Sequence, residues 1–217
     1  MRAHADDRPF LRTTHALAAE DEDWEISVMA VANRHGHALS TQIEHDVTAR
    51  QKLEIEFGRS PHAQGPEPEQ GLRLRSLWVS PAQLGWGLAT KLGVEPPRAD
   101  EREGRRQQAQ GVFSWSPARG SWLHLNLGWQ WRHPDLQATQ RTTLQALAWQ
   151  QAWTSQRWWH AEAAGTGDGR DRLLHLGLRH WLSNRRLALD TGIGRQYGSE
   201  RTGAFMAINL NFYDLEP

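Results

Sequence analysis

The chain has 217 residues, a length that suits one domain, and its 25 Lys and Arg balance 25 Asp and Glu. That balance removes the electrostatic case for a nucleic-acid partner, and the absence of cysteine removes disulfides and thiol catalysis. No run approaches the ~20 apolar residues of a membrane helix, and mean hydropathy is −0.71. Yet there are 12 Trp, too many for the thin core such averages suggest. A membrane barrel also averages polar, because alternate residues of each strand face an aqueous interior.

Residues 1–23 read as an N-terminal leader or periplasmic segment; they contain no apolar core of an export signal. Strands are predicted at 24–33, 38–47, 51–58, 71–80, 84–94, 110–116, 121–131, 141–153, 157–165, 172–182, 186–195 and 203–213. The signal is alternation with period two. Leu39, Thr41 and Ile43 oppose Ser40, Gln42 and Glu44. Leu123, Leu125, Leu127, Trp129 and Trp131 oppose His124, Asn126 and Gln130, and Met206, Ile208, Leu210 and Phe212 oppose Asn209 and Asn211. The segment 141–153 is ambiguous, since propensity alone also allows a helix.

Five short turns recur between these segments. Each begins with Ser or Thr and carries Arg or Gln three places later or nearby: Thr48-Ala49-Arg50, Ser80-Pro81-Ala82-Gln83, Ser116-Pro117-Ala118-Arg119, Thr154-Ser155-Gln156-Arg157 and Ser183-Asn184-Arg185-Arg186. Longer loops are expected at 59–70, 95–109, 132–140, 166–171 and 196–202, with a mobile stretch from Pro96 to Gln110. Short turns on one side and loops on the other are the pattern of an up-and-down antiparallel barrel of about 12 strands.

Tryptophan tests this independently. Trp24, Trp78, Trp86, Trp115, Trp149, Trp153 and Trp159 fall near the short-turn end, and Trp129 and Trp131 near the other. By parity these nine lie on the apolar side, as in the aromatic girdles that barrels carry where strands leave lipid. Trp122, Trp158 and Trp181 point the other way, into the interior.

The same stretches resemble a known group. Arg8 to Thr14 followed by Trp24-Glu25-Ile26, the hairpin Leu39 to Gly58, and Leu176 to Gly194 resemble the outer-membrane proteins of the "MetA-pathway of phenol degradation" family. The resemblance implies a bacterial outer-membrane barrel, a channel for small solutes with aromatic compounds among the candidates, and no catalytic residues to carry over. Barrel chains usually stop at an aromatic residue read by the assembly machinery. Here Phe212 has the alternating neighbours Leu210, Ile208 and Met206, and residues 214–217 form a C-terminal extension.

With the apolar side in lipid, the lumen receives Glu25, Glu44, Asp46, Glu54 and Glu56, then Arg73, Arg75 and Lys91, and on the far side Arg179. These are the candidate selectivity groups. His124, Asn126, His160 and Glu162 also point inward, but no strand serine is placed beside them, so no catalytic set is assigned. His35 and His37 form a loop pair and His175 and His180 lie on opposite faces, so neither a metal site nor a cofactor is expected. Gly192-Ile193-Gly194 reads as a close-packing or bend site. The expected partners are outer-membrane lipid, a small solute and the barrel-assembly machinery. Two alternatives stay open: a structural or surface barrel with a filled lumen, and a soluble ligand-binding β-barrel.

Overall fold

The computed structural model describes residues 16, 24–34, 36–62, 65–96, 104–133, 138–169, 171–183, 186–198 and 203–215. Apart from Ala16, the stretch 1–23 lies outside them, as do 97–103 and 199–202. The described residues form strands β1 (Trp24–Asn33), β2 (Gly36–Thr48), β3 (Gln51–His62), β4 (Gly65–Val79), β5 (Trp86–Glu95) and β6 (Arg105–Ala118). They continue with β7 (Ser121–His133), β8 (Gln140–Ala152), β9 (Arg157–Thr166), β10 (Asp171–Ser183), β11 (Leu187–Gly198) and β12 (Gly203–Leu215). One helical turn, α1 (Pro81–Leu84), connects β4 to β5. Every strand pairs antiparallel with its chain neighbours, and β12 returns to β1, closing a barrel.

Closure plus alternation turns the usual arrangement of a globular protein inside out. Leu39, Leu72, Leu92, Leu127, Leu147, Leu174, Ile193, Met206 and Ile208 are exposed on the outside. Glu44, Asp46, Lys52, Glu54, Arg75, His124, His160, Glu162, Arg179 and Asp190 are buried within. Trp24, Trp78, Trp86, Trp115, Trp129, Trp149 and Trp159 are exposed on the outer side, Trp153 is exposed in the β8–β9 turn, and half-buried Trp131 shares the outer side through its register with Arg141. Trp122 and Trp181 are buried inside, and Trp158 packs beside Trp181.

The recurring turns have a local cause. The Arg50 amide donates to Thr48 Oγ1 at 3.2 Å, and the Gln156 amide donates to Thr154 Oγ1 at 3.2 Å. Ser116 Oγ donates to the Ala118 carbonyl at 3.1 Å. A leading hydroxyl that bonds its own backbone two residues on is what a tight turn selects. In the α1 connection Gly85 has φ 69°, and its carbonyl accepts the Ser116 amide at 2.8 Å.

Three expectations need correction. The loops predicted at 59–70 and 95–109 give way in part to strand: β3 reaches His62, β4 begins at Gly65, and β6 begins at Arg105, while 97–103 lie outside the described residues. The residues from Arg105 to Gln110, expected to be mobile, pair with β5 and β7. The pairing continues where apolar alternation stops, because a ladder needs only backbone partners. β12 likewise runs to Leu215, which pairs with Trp24, so the strand extends two residues past 213. The ambiguous segment is a strand, since β8 spans Gln140–Ala152.

Inward glycines set how closely the wall packs on its contents. A Cβ on Gly177 would stand 2.2 Å from His160 Nε2, and one on Gly192 would stand 2.2 Å from His175 Nε2. Gly194 lies equally close beneath the Phe205 ring. The Gly192–Gly194 stretch is therefore a close-packing site. We expect Gly177→Val to destabilise the barrel by roughly 1–3 kcal/mol through overpacking. Gly111→Ala, whose nearest new neighbour lies 3.8 Å away, should be nearly neutral. Urea unfolding in lipid vesicles, followed by Trp fluorescence, measures both.

Candidate functional site

The interior has two unlike walls. On β1–β6, Lys52 Nζ lies 2.7 Å from Glu25, 3.5 Å from Glu44 and 3.6 Å from Asp46. Lys91 Nζ lies 3.0 Å from Glu54. Arg73 bonds Glu56 and reaches Glu95 at 3.4 Å, and Arg106 stands 3.8 Å from Glu95. Arg75 is buried on the same side. Eight of the nine predicted lumen groups thus gather on one wall: Glu25, Glu44, Asp46, Glu54, Glu56, Arg73, Arg75 and Lys91. The register explains it. Glu25 pairs with Glu44 and Glu44 with Glu54, stacking like charges in one row. Lys52, on the same face one pair away, draws that row together. Buried charges are tolerable only when paired, so bases from β3, β4 and β5 reach these acids.

Arg179 stands apart, on the opposite wall. Its guanidinium grips Asp190, Nε to Oδ1 at 2.7 Å and Nη2 to Oδ2 at 2.9 Å. Asn211 Nδ2 donates to the same Oδ2 at 2.8 Å. The Arg179 guanidinium also lies 5.5 Å from the Trp181 ring centroid and 5.8 Å from that of Tyr213. Farther along, the His160 and His175 rings are 5.1 Å apart, and His175 and Phe205 5.9 Å apart. This wall is aromatic and imidazole-rich where the other is ionic.

A third group lies on β6 and β7. Ser114 Oγ is 2.8 Å from His124 Nδ1, because the two residues are register partners across the hairpin. The expectation that no strand serine stands beside an inward histidine is therefore corrected. The same Ser114 Oγ accepts the Ala16 backbone amide at 2.8 Å, and Ser114, His124 and Ala16 are each 0 % exposed. Ala16 packs against Leu77, Ala89 and Val112, so a residue ahead of β1 sits inside the barrel. A hydroxyl occupied from both sides and sealed in this way serves as an anchor.

Four ionic partners escaped the sequence reading: Lys52, Glu95, Arg106 and Asp190. Parity signals the first two, since Lys52 shares its strand face with Glu54, and Glu95 with Lys91. Asp190 was readable by counting back from Arg179 across the 183–187 turn. Nothing in the sequence points to Ala16. Among the described residues no group of three or more His, Asp and Glu is arranged to hold a metal.

Known structures share this fold. The KdgM porin in complex with disordered oligogalacturonate superposes with a TM-score of 0.69, at 9% identity, over 87% of this chain and 98% of that one. The NanC porin gives 0.67 at 8% identity, over 87% and 98%. The COG4313 outer membrane channel from Pseudomonas putida F1 gives 0.66 at 12% identity, over 96% and 100%. The fold is that of outer-membrane porins. No protein-family model and no curated protein sequence matches the chain.

The Arg179–Asp190 pair is buried on both sides, at 3% and 5% side-chain exposure. We expect Arg179→Ala to cost about 3–5 kcal/mol, because it strands the Asp190 carboxylate. The double variant Arg179→Met, Asp190→Leu should recover most of that loss. Unfolding midpoints of the single and double variants provide the check.

Proposed function

We propose that the protein is a channel of the bacterial outer membrane that passes small solutes, with the ionic wall of β1–β6 governing entry. The observation that carries this reading is the inversion: ionisable side chains enclosed by a closed ring of strands whose outside is Leu, Ile, Met and Trp. Such a surface suits hydrocarbon, and a closed ladder leaves no backbone group unpaired there. Trp24, Trp78, Trp86, Trp115, Trp129, Trp131, Trp149, Trp153 and Trp159 then mark the two headgroup levels. Residues 1–23 precede the barrel, and β12 ends on the short-turn side, where assembly machinery would read Phe212.

For the solute we propose a small molecule that carries both a charge and a ring. The ionic wall would select the charge by exchanging partners within it. His175, Phe205, Trp181 and Tyr213 opposite would offer ring faces. The likeness to the phenol-degradation barrels supports the same class, and the oligogalacturonate in the KdgM porin complex supports solute binding by this fold.

One observation favours a second reading, a barrel with a filled interior whose loops do the work. Glu54, His124 and His160 are 0 % exposed, and Ala16 occupies interior space. Planar bilayers decide between them. The channel reading expects discrete conductance steps, and Glu44→Gln with Glu56→Gln should move the reversal potential in a KCl gradient toward anion preference. Lys52 and Arg73 keep Glu25 and Glu95 as partners in that variant, so folding should survive. A refolded barrel without steps establishes the filled interior instead.

A further inference from the structure

The outside of the barrel is not uniformly convex. From β7 through β12 to the loop end of β1 it sinks into a trough of about 960 Å³, lined mainly by Ala161, Ala163, Leu174, Leu176, Ile193 and Met206. The depression follows from both faces of the wall. Ala161 and Ala163 leave little side chain outside, while Gly177, Gly192 and Gly194 let the wall settle onto flat rings inside.

The register sets a polar row immediately above this floor, at the loop end. Gln145 pairs with Gly165, Gly165 with Arg172, and Arg172 with Tyr197, all on the outer face. Arg195 starts one row lower, opposite Leu174, but its guanidinium lies 4.9 Å from the Tyr197 ring centroid, so it reaches up to the same level. Arg195 therefore lies against one tyrosine, while Arg172, that tyrosine's register partner, carries its guanidinium over Gly169 in the β9–β10 turn, and Gly165 beside Arg172 has no side chain. Among the described residues neither guanidinium has a carboxylate partner. Two adjacent cations at the edge of an apolar surface call for an anion, and guanidinium matches phosphate geometry.

We infer that the trough holds a phosphorylated, acylated lipid, with its phosphate between Arg172 and Arg195 and its chains along the floor. The inference rests on the reading above that this face meets a bilayer. A second copy of the chain fits worse. A two-fold contact sets a patch against itself, which here would oppose hollow to hollow and arginine to arginine.

Native mass spectrometry of the barrel in neutral detergent tests this with dioleoyl phosphatidic acid. We expect one retained lipid per barrel, and retention reduced about tenfold or more in Arg172→Gln, Arg195→Gln, which removes both charge-assisted contacts. Ala163→Trp should block retention by filling the floor while leaving both arginines in place. Dioleoylglycerol, with the chains alone, and glycerol 3-phosphate, with the headgroup alone, should each be retained poorly. Equal retention by the double variant, or of either half-molecule, overturns the inference, as does a lipid-free dimer. Heat-dependent gel mobility confirms that each variant is folded. Flotation of the same samples with lipid vesicles separates the two readings: a wrong lipid site leaves every sample with the vesicles, whereas a wrong membrane assignment leaves every sample in the soluble fraction.

Discussion

Closure of the strand ladder is the constraint from which the rest follows. Once β12 pairs with β1, no strand has a free edge, and each residue must face either the enclosed space or the outside. Alternation then sorts the side chains without further instruction. An average composition that reads as marginally soluble becomes two chemically opposed surfaces. The apolar residues, which elsewhere would form a core, are the outer skin.

The enclosed surface is organised by register more than by sequence neighbourhood. Glu25, Glu44 and Glu54 come from three strands and share one row. Such a row is stable only because Lys52 and Lys91 reach into it at 2.7 and 3.0 Å from Glu25 and Glu54. On the opposite wall one bidentate pair, Arg179–Asp190, is backed by Asn211 and by the Trp181 and Tyr213 rings. A solute moving between these walls would meet charge on one side and ring faces on the other.

Much of this was legible in the sequence because period two is a strong signal wherever one face must be apolar. All the strand segments were found, and every predicted lumen group points inward. Legibility failed where the apolar face ended. The hairpin continuing to His62 and Gly65 and the start of β6 at Arg105 lack alternation, so they read as loops. Pair partners were less visible than faces, since Asp190 and Ser114 require a register count across a turn of uncertain length. The burial of Ala16 rests on a tertiary contact with Ser114, which has no local trace.

The seam between β1 and β12 differs in kind from every other junction in the ring. All remaining neighbours are joined by hairpins, so each can zip from a nearby turn with little loop-closure entropy. The seam joins Trp24 to Leu215 and is interrupted by an irregularity between Trp24 and Ile26. Its search spans nearly the whole polypeptide, and contact order of that kind governs folding speed. β12, which follows the other eleven strands in the chain, is thus the one that completes the cylinder.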